Sequence, residues 1–291
     1  MKTPRYGALG ASLYVPATHK HLDTILAEGC GSARSIIVCT EDAVAAVEVE
    51  WCLHRLMKEL RDTPTSVPHL RFMRPRSPAL LREVLQGGDR VVAALDGVVL
   101  PKFDHLSAPK WADALALAPD LPIMPTLETS MMFQETTAML TLAALQRMTN
   151  PVIALRIGAN DLLGALGLKR QPGQTIYDTP LRSTLERIIT LFRPAGYELS
   201  APVCDLIGEP ETLAREIVQD IAWGFYAKTC VHPTQIDVIE THLAQAIASQ
   251  HTLARALMQS DQAVFKHGGQ MLEQTCHQQW ASRVNGLVAT T

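Results

Sequence analysis

The chain has 291 residues, 47% of them hydrophobic and 19% charged, with a formal net charge of −3. This is a globular composition, and the slightly acidic balance argues against a surface for nucleic acid or anionic membranes. No apolar run approaches the roughly 20 residues of a membrane span, and no long apolar core follows Lys2 and Arg5, so no secretory signal is expected.

The cysteines (Cys30, Cys39, Cys52, Cys204, Cys230, Cys276) form no CxxC pair, and the ten histidines lack HxxxH or HExxH spacing. A reduced, cytoplasmic protein without a zinc site is expected.

Eight short apolar runs recur along the chain. The first is Ser12-Leu13-Tyr14-Val15, stopped by Pro16. The second, Ser35 to Cys39, ends at Thr40-Glu41-Asp42 and precedes a helix with Leu53, Leu56, Met57 and Leu60 at i, i+3, i+4, i+7 spacing. The third is His69 to Met73, followed by a short helix through Leu80, Leu81, Val84 and Leu85 that Gly87-Gly88 closes. The fourth, Gly97 to Leu100, ends at Pro101-Lys102, and the fifth, Ile123 to Leu127, ends at Glu128-Thr129. Pro125 inside the fifth is awkward for a central strand. A helix from about Met132 to Met148 comes next.

The sixth run, Val152 to Ile157, empties into Gly158-Ala159-Asn160-Asp161. The seventh, Leu199 to Cys204, is interrupted by Pro202, and Leu213, Ile217 and Ile221 mark the helix after it. The eighth, Phe225 to Val231, ends at His232-Pro233 and precedes a helix with Ile236, Ile239 and Leu243.

Strands alternating with helices predict a parallel α/β architecture. Eight strands is the number of a closed (β/α)8 TIM barrel. The alternative is an open doubly wound sheet, which the absence of GxGxxG and GxxxxGK[ST] loops weakens in its nucleotide-binding forms. With no linker in the sequence, one barrel domain is expected over 1–250. A C-terminal helical extension over 251–291 would hold a helix around Leu253 to Val264, Gly268-Gly269 and a polar tail.

In such a barrel the carboxyl ends of the strands share one mouth. They carry Glu41 and Asp42, Arg71, Lys102, Glu128, Asn160 and Asp161, and His232. Arg71, a charge within an apolar run, must be paired or bind an anion. Glu41 with Asp42, and Asn160 with Asp161, could equally cap the following helices. Glu128 and Asp161 on adjacent strands would repel unless a proton or cation lay between them. Two carboxylates with room for water and substrate suit Mg2+; the other reading is two unrelated caps.

An ordered set of stretches resembles the HpcH/HpaI aldolase and citrate lyase β-subunit family. These are Leu13-Tyr14-Val15-Pro16-Ala17, Thr40-Glu41-Asp42-Ala43-Val44, Leu70-Arg71-Phe72, Val99-Leu100-Pro101-Lys102, Leu127-Glu128-Thr129, Gly158-Ala159-Asn160-Asp161-Leu162, Val231-His232-Pro233-Thr234-Gln235 and Gly269-Gln270-Met271. The resemblance implies a Mg2+-dependent barrel that makes or breaks C–C bonds, often in acyl-CoA substrates and often as a homotrimer or hexamer. The extension could then pack on a neighbouring subunit. It implies Glu128 and Asp161 as metal ligands and Arg71 as the contact to the substrate's carboxylate or keto group. Lys102, His232 and Asn160 become substrate-binding candidates, and Glu41 and Asp42 candidates for base or water-holding roles.

The sequence departs from the family where Cys39 replaces the first Asp of Asp-x-Glu-Asp and Asn160 replaces the Glu of Gly-Ala-Glu-Asp. An Arg that commonly opens the first strand would fall near Gly10 or Ala11, and an Asp common in CoA-ester members aligns with Glu273. The expected activity is aldol- or Claisen-type cleavage or condensation of a 3-hydroxy acid or its CoA thioester, with a keto acid released or used. The alternatives are a binding barrel with reduced catalysis and a thioesterase or malate-synthase-like enzyme.

Overall fold

A computed structural model describes residues 3–288. In chain order its barrel elements are β1 (Ala11–Pro16), α1 (Leu22–Glu28), β2 (Ser35–Cys39), α2 (Val49–Asp62), β3 (Leu70–Arg74), α3 (Pro78–Leu85), α4 (Asp89–Ala93), β4 (Gly97–Leu100), α5 (Ala108–Leu115), β5 (Ile123–Leu127), α6 (Glu135–Leu145), β6 (Leu155–Ile157), α7 (Ala159–Ala165), α8 (Arg182–Phe192), β7 (Leu199–Ser200), α9 (Pro210–Ala222), β8 (Lys228–Cys230) and α10 (Ile236–Gln259). A hairpin of β9 (Val264–His267) and β10 (Gln270–Glu273) follows, then α11 (Gln274–Val288).

Among the described residues, the eight-stranded sheet runs β7-β6-β5-β4-β3-β2-β1-β8 with every pair parallel. A bridge between Ala201 and Lys228 brings the β7 edge back to β8, so the sheet closes as a (β/α)8 barrel. No described helix is long and apolar enough to cross a membrane.

Strand parity decides what each residue can do. Along β3, Phe72 joins Ile37, Val99, Met124 and Tyr226 in the barrel interior, while Met73 packs outward with Leu53, Leu56 and Val84 under the helices. Both faces are therefore apolar, as parallel strands covered on two sides require. The α2 helix follows the sequence reading, burying Cys52, Leu53, Leu56, Met57 and Leu60 along one stripe.

Pro125 sits inside β5, opposite Leu100. It is tolerated because pairing with the next strand lapses beside it. Ile123 bridges Val152, and the ladder resumes only at Thr126 with Arg156. The chain before β6 thus takes one residue more than β5 over the same stretch, a bulge next to a residue with no N–H to give. For the same reason β6 is shorter than the predicted run from Val152.

The C-terminal region differs from expectation. The structure carries α10 unbroken from Ile236 to Gln259, so the expected boundary at 250 falls inside a helix. Of the helix expected around Leu253 to Val264, the part to Gln259 is the end of α10, and Val264 instead opens β9. The polar tail is largely α11, which buries Ala281, Val284 and Leu287 on one side.

Outside the barrel wall, Lys228 Nζ donates to Glu216 Oε1 at 2.9 Å and Asp220 Oδ2 at 2.7 Å, and Arg170 donates to Glu216 Oε2 at 2.6 Å. Burial opposes the charge on Lys228, yet Asp220 and Glu216 carry its pKa up to about 12. The stability this ammonium contributes is therefore present below its unfolded pKa of about 10.4 and lost as pH rises toward 12. Lys228→Met leaves two buried acids with less counter-charge and should cost about 3–5 kcal/mol. Urea unfolding should show that loss at pH 8 and partial recovery near pH 5, where the stranded acids can take up protons.

Candidate active site

Four carboxyl-end residues are drawn together by one guanidinium. Arg74, the last residue of β3, faces the barrel interior two positions after Phe72. Its Nη2 lies 2.6 Å from Glu41 Oε2 and 3.1 Å from Glu128 Oε1. Lys102 closes the arrangement from the end of β4. Its Nζ lies 2.5 Å from Glu41 Oε1 and 3.2 Å from Asp42 Oδ2, and its backbone N–H donates to Glu128 Oε1 at 2.7 Å. Lys102 adopts φ 50°, a left-handed conformation uncommon for a residue with a side chain. That turn aims both its N–H and its ammonium at acids.

Glu41 is 2% exposed and Glu128 is 4% exposed. Burial pushes the Glu128 carboxyl up to about 7, with Arg74 pulling it down and Asp161 and Glu41 pushing it further up. Asp161 stands half-buried in the first turn of α7. Asp161 and Glu128 line the same cavity, and the Asp161 charge raises the Glu128 pKa, as expected of neighbouring anions without a cation.

A small residue makes their approach possible. A Cβ on Gly158 would stand 2.2 Å from Glu128 Oε2 and 2.5 Å from Glu128 Cβ, so only glycine leaves room for the carboxylate here. Gly158→Ala should shift the backbone at Glu128 as well as its carboxylate, because the Glu128 Cβ cannot rotate away, and weaken Mg2+ binding about 10–100-fold. Isothermal titration calorimetry checks this.

A cavity of about 370 Å³ opens over these groups, lined among others by Tyr14, Cys39, Arg74, Thr126, Glu128 and Arg156. Asp42, Asn160 and Asp161 also line it. Arg74 Nε and Thr126 Oγ1 are buried without a hydrogen-bond partner among the described residues. Tyr14 lies between two cations, its ring centroid 5.7 Å from the Arg74 guanidinium and 5.4 Å from that of Arg156.

Among the described residues no group of three or more His, Cys, Asp or Glu is placed to hold a metal ion. Two carboxylates beside an open cavity still fit Mg2+, which takes oxygen ligands and retains waters, while a closed zinc or calcium cage would need more donors.

The structure corrects the choice of arginine. Arg71 is the second residue of β3, with odd parity, and points away from the mouth under the helices. It is 1% exposed, and its guanidinium donates to the carbonyls of Pro64 and Thr65 at 2.9 and 3.0 Å. Its work is to tie the α2–β3 loop to the strand. His232 is not brought to the cavity either. It caps a short turn, with Nδ1 2.9 Å from Thr234 Oγ1. Asn160 lines the cavity from an exposed position.

Asp42 is mostly exposed and its pKa is lowered: burial opposes this, but hydrogen bonds from Glu41 and Lys102 prevail. A depressed pKa makes Asp42 a weaker base. Cys39 lines the cavity as a buried thiol whose pKa burial raises, so it presents a neutral group. Arg74 and Arg156 were missed. The signal for Arg74 was its place at the strand's carboxyl end, which is what matters in a barrel. The signal for Arg156 was the one that picked out Arg71, a charge within an apolar run.

The site lies on the face where parallel barrels carry out chemistry, which defines the class as a TIM-barrel protein with an acid-and-arginine mouth. Residues 4–288 match the C–C bond lyase family of the TIM-barrel fold, and the chain belongs to that family.

A citrate lyase subunit beta-like protein of Deinococcus radiodurans is 28% identical over 281 residues, covering 91% of this chain and 93% of the relative. A (3S)-malyl-CoA thioesterase of Cereibacter sphaeroides is 26% identical over 256 residues, covering 88% and 84%. The crystal structure of CitE from Mycobacterium tuberculosis in complex with magnesium, acetoacetate and coenzyme A is similar, with a TM-score of 0.68 at 22% identity and 98% of each chain covered. The citrate lyase beta subunit complexed with oxaloacetate and magnesium, from the same organism, is similar with a TM-score of 0.62 at 24% identity, covering 82% of this chain and 98% of the other.

Proposed function

We propose that this chain is a Mg2+-dependent carbon–carbon lyase that cleaves or forms a 3-hydroxy acid or its CoA thioester, with a keto acid as one partner. The observation that carries the proposal is the Glu128 carboxylate, buried against Gly158, sharing its cavity with Asp161 and straddled by Arg74. In this reading Glu128 and Asp161 hold the metal. When bound, Mg2+ would supply Lewis-acid polarisation of the keto or hydroxy oxygen.

The chain's own residues supply the rest. Arg74 is fixed by Glu41 and Glu128 in the lining of the cavity, with its Nε unpartnered among the described residues, where an enolate or alkoxide oxygen would develop. Lys102 locks Glu41 and Glu128 in place through its ammonium and its N–H. Glu41 thereby becomes a positioning residue for Arg74 rather than a free base. Asp42, at the rim, holds water better than it abstracts a proton.

A second reading is thioester hydrolysis, in line with the relative named a (3S)-malyl-CoA thioesterase. Cys39 and Asn160, which leave neutral groups where the resemblance places acids, favour instead a binding barrel with reduced catalysis. Incubation with Mg2+ and malyl-CoA separates these readings. Mg2+-dependent glyoxylate supports the lyase reading, and free CoA thiol with malate but no glyoxylate overturns it in favour of hydrolysis. A binding barrel with reduced catalysis would give neither product.

We also place the protein in the cytoplasm, a location that its six free cysteines suit. The trimer or hexamer implied by the resemblance belongs to the same proposal, supported by exposed apolar side chains such as Val47, Trp51 and Leu106.

A further inference from the structure

Arg156 is a buried cation without an anion. It is the middle residue of β6, between Leu155 and Ile157, which pack outward, so its side chain enters the barrel. It is 1% exposed. Its Nη2 donates to Thr229 Oγ1 at 2.5 Å, Nη1 reaches Ser12 Oγ only at 3.4 Å, and Nε has no partner.

Among the described residues no carboxylate lies within ion-pair distance of Arg156, whereas Arg74, Arg170 and Lys228 each have at least two acids. A desolvated guanidinium held only by hydroxyls, the Met124 sulfur and the Tyr14 ring face is unfavourable unless an anion completes it, whereas Arg71, also without an acid among the described residues, is met by two carbonyls. The cavity over Glu128 is lined by Arg156, Thr126 and Thr229, so that anion can come from the ligand.

The placement sets the ligand's shape. Arg156 pairs in register with Thr126, and Glu128 lies two residues further toward the mouth on the same strand. One inward-facing layer, about 6–7 Å of strand, separates the two levels. We propose that Arg156, with Thr126 and Thr229, receives a second carboxylate of the substrate at the floor of the cavity. The substrate is then a dicarboxylate whose other end lies at the Glu128–Asp161 level. A single guanidinium flanked by two hydroxyls matches a planar monoanion, and a phosphate dianion would call for more counter-charge.

The identity of the upper end rests on the metal-dependent reading above; the carboxylate site on Arg156 does not. The test therefore has two arms in wild type, Arg156→Met and Arg156→Lys. The first arm, without metal, compares butyrate with its neutral amide, butyramide, by calorimetry. Wild type should prefer butyrate about 100-fold, Arg156→Met should bind the two equally, and Arg156→Lys should keep part of the preference. The second arm follows Mn2+ binding by electron paramagnetic resonance. It should be unchanged in both variants, and its absence in wild type would sink the metal reading while leaving the first arm standing.

Arg156→Met should also melt at or above the wild-type temperature, because it removes an uncompensated charge. Equal affinity for butyrate and butyramide in wild type, or a lowered melting temperature of Arg156→Met with the butyrate preference intact, overturns the proposal and makes Arg156 a purely structural residue.

Discussion

Glu128→Gln should lose Mg2+ binding and with it at least about 1,000-fold in kcat, a loss on the scale seen when a transition-state electrostatic group is removed. The amide is nearly isosteric, so it can still fill the space against Gly158 and accept the Lys102 N–H. What it lacks is the negative charge that opposes Asp161 and attracts the cation. Folding should be retained, because the substitution removes a buried charge that burial already disfavours. Mg2+ calorimetry and steady-state keto-acid release measure the two halves of this result. A variant that keeps full Mg2+ affinity would move the metal elsewhere in the mouth.

Arg74→Met should lower kcat by about 10²–10³-fold, while Arg71→Met leaves kcat within about threefold and instead costs about 1–3 kcal/mol of stability. The contrast follows from parity. Arg74 faces the cavity and binds two buried acids, so its removal deprives the developing oxyanion of a fixed charge and releases both carboxylates. Arg71 faces the helices, and its removal strands only the carbonyls of Pro64 and Thr65. Steady-state kinetics and urea unfolding on the two variants, run side by side, separate the effects. Equal losses of kcat in both would show that parity has been misassigned.

Those two arginines also show what a sequence can and cannot convey about a barrel. The eight apolar runs are legible because parallel strands are buried on both faces and bounded by turn residues. Five of the strand spans lie within a residue of expectation at each end or better, as in Ser35–Cys39 and Gly97–Leu100. That same two-sided burial erases the alternation that would tell inside from outside. Arg71 stood out because it is charged within an apolar run, but a charge on the outer face is covered by helices just as a charge on the inner face is covered by the barrel.

Arg74 carried the better signal, since the carboxyl end of a strand reaches the mouth whatever the composition around it. Arg156 carried the same signal as Arg71, a charge within an apolar run, but only three-dimensional closure brings Ser12, Met124 and Thr229 around it. Glu128 and Asp161 could be placed near the mouth from the sequence because Glu128 follows the end of β5 directly and Asp161 stands in the first turn of α7, just after β6. The continuity of α10 was obscured by the polar stretch Ser249-Gln250-His251. Only about one face of that helix needs to be apolar, and Ala254 and Leu257 continue it.

The most direct test of the central claim is a crystal grown with Mg2+ and oxaloacetate. The account predicts one octahedral ion bound by carboxylate oxygens of Glu128 and Asp161, with the ligand's keto end on the ion and Arg74 Nε donating to it. An ion held at Glu41 and Asp42 instead, or a ligand seated in the cavity with no ion at Glu128 and Asp161, would contradict it.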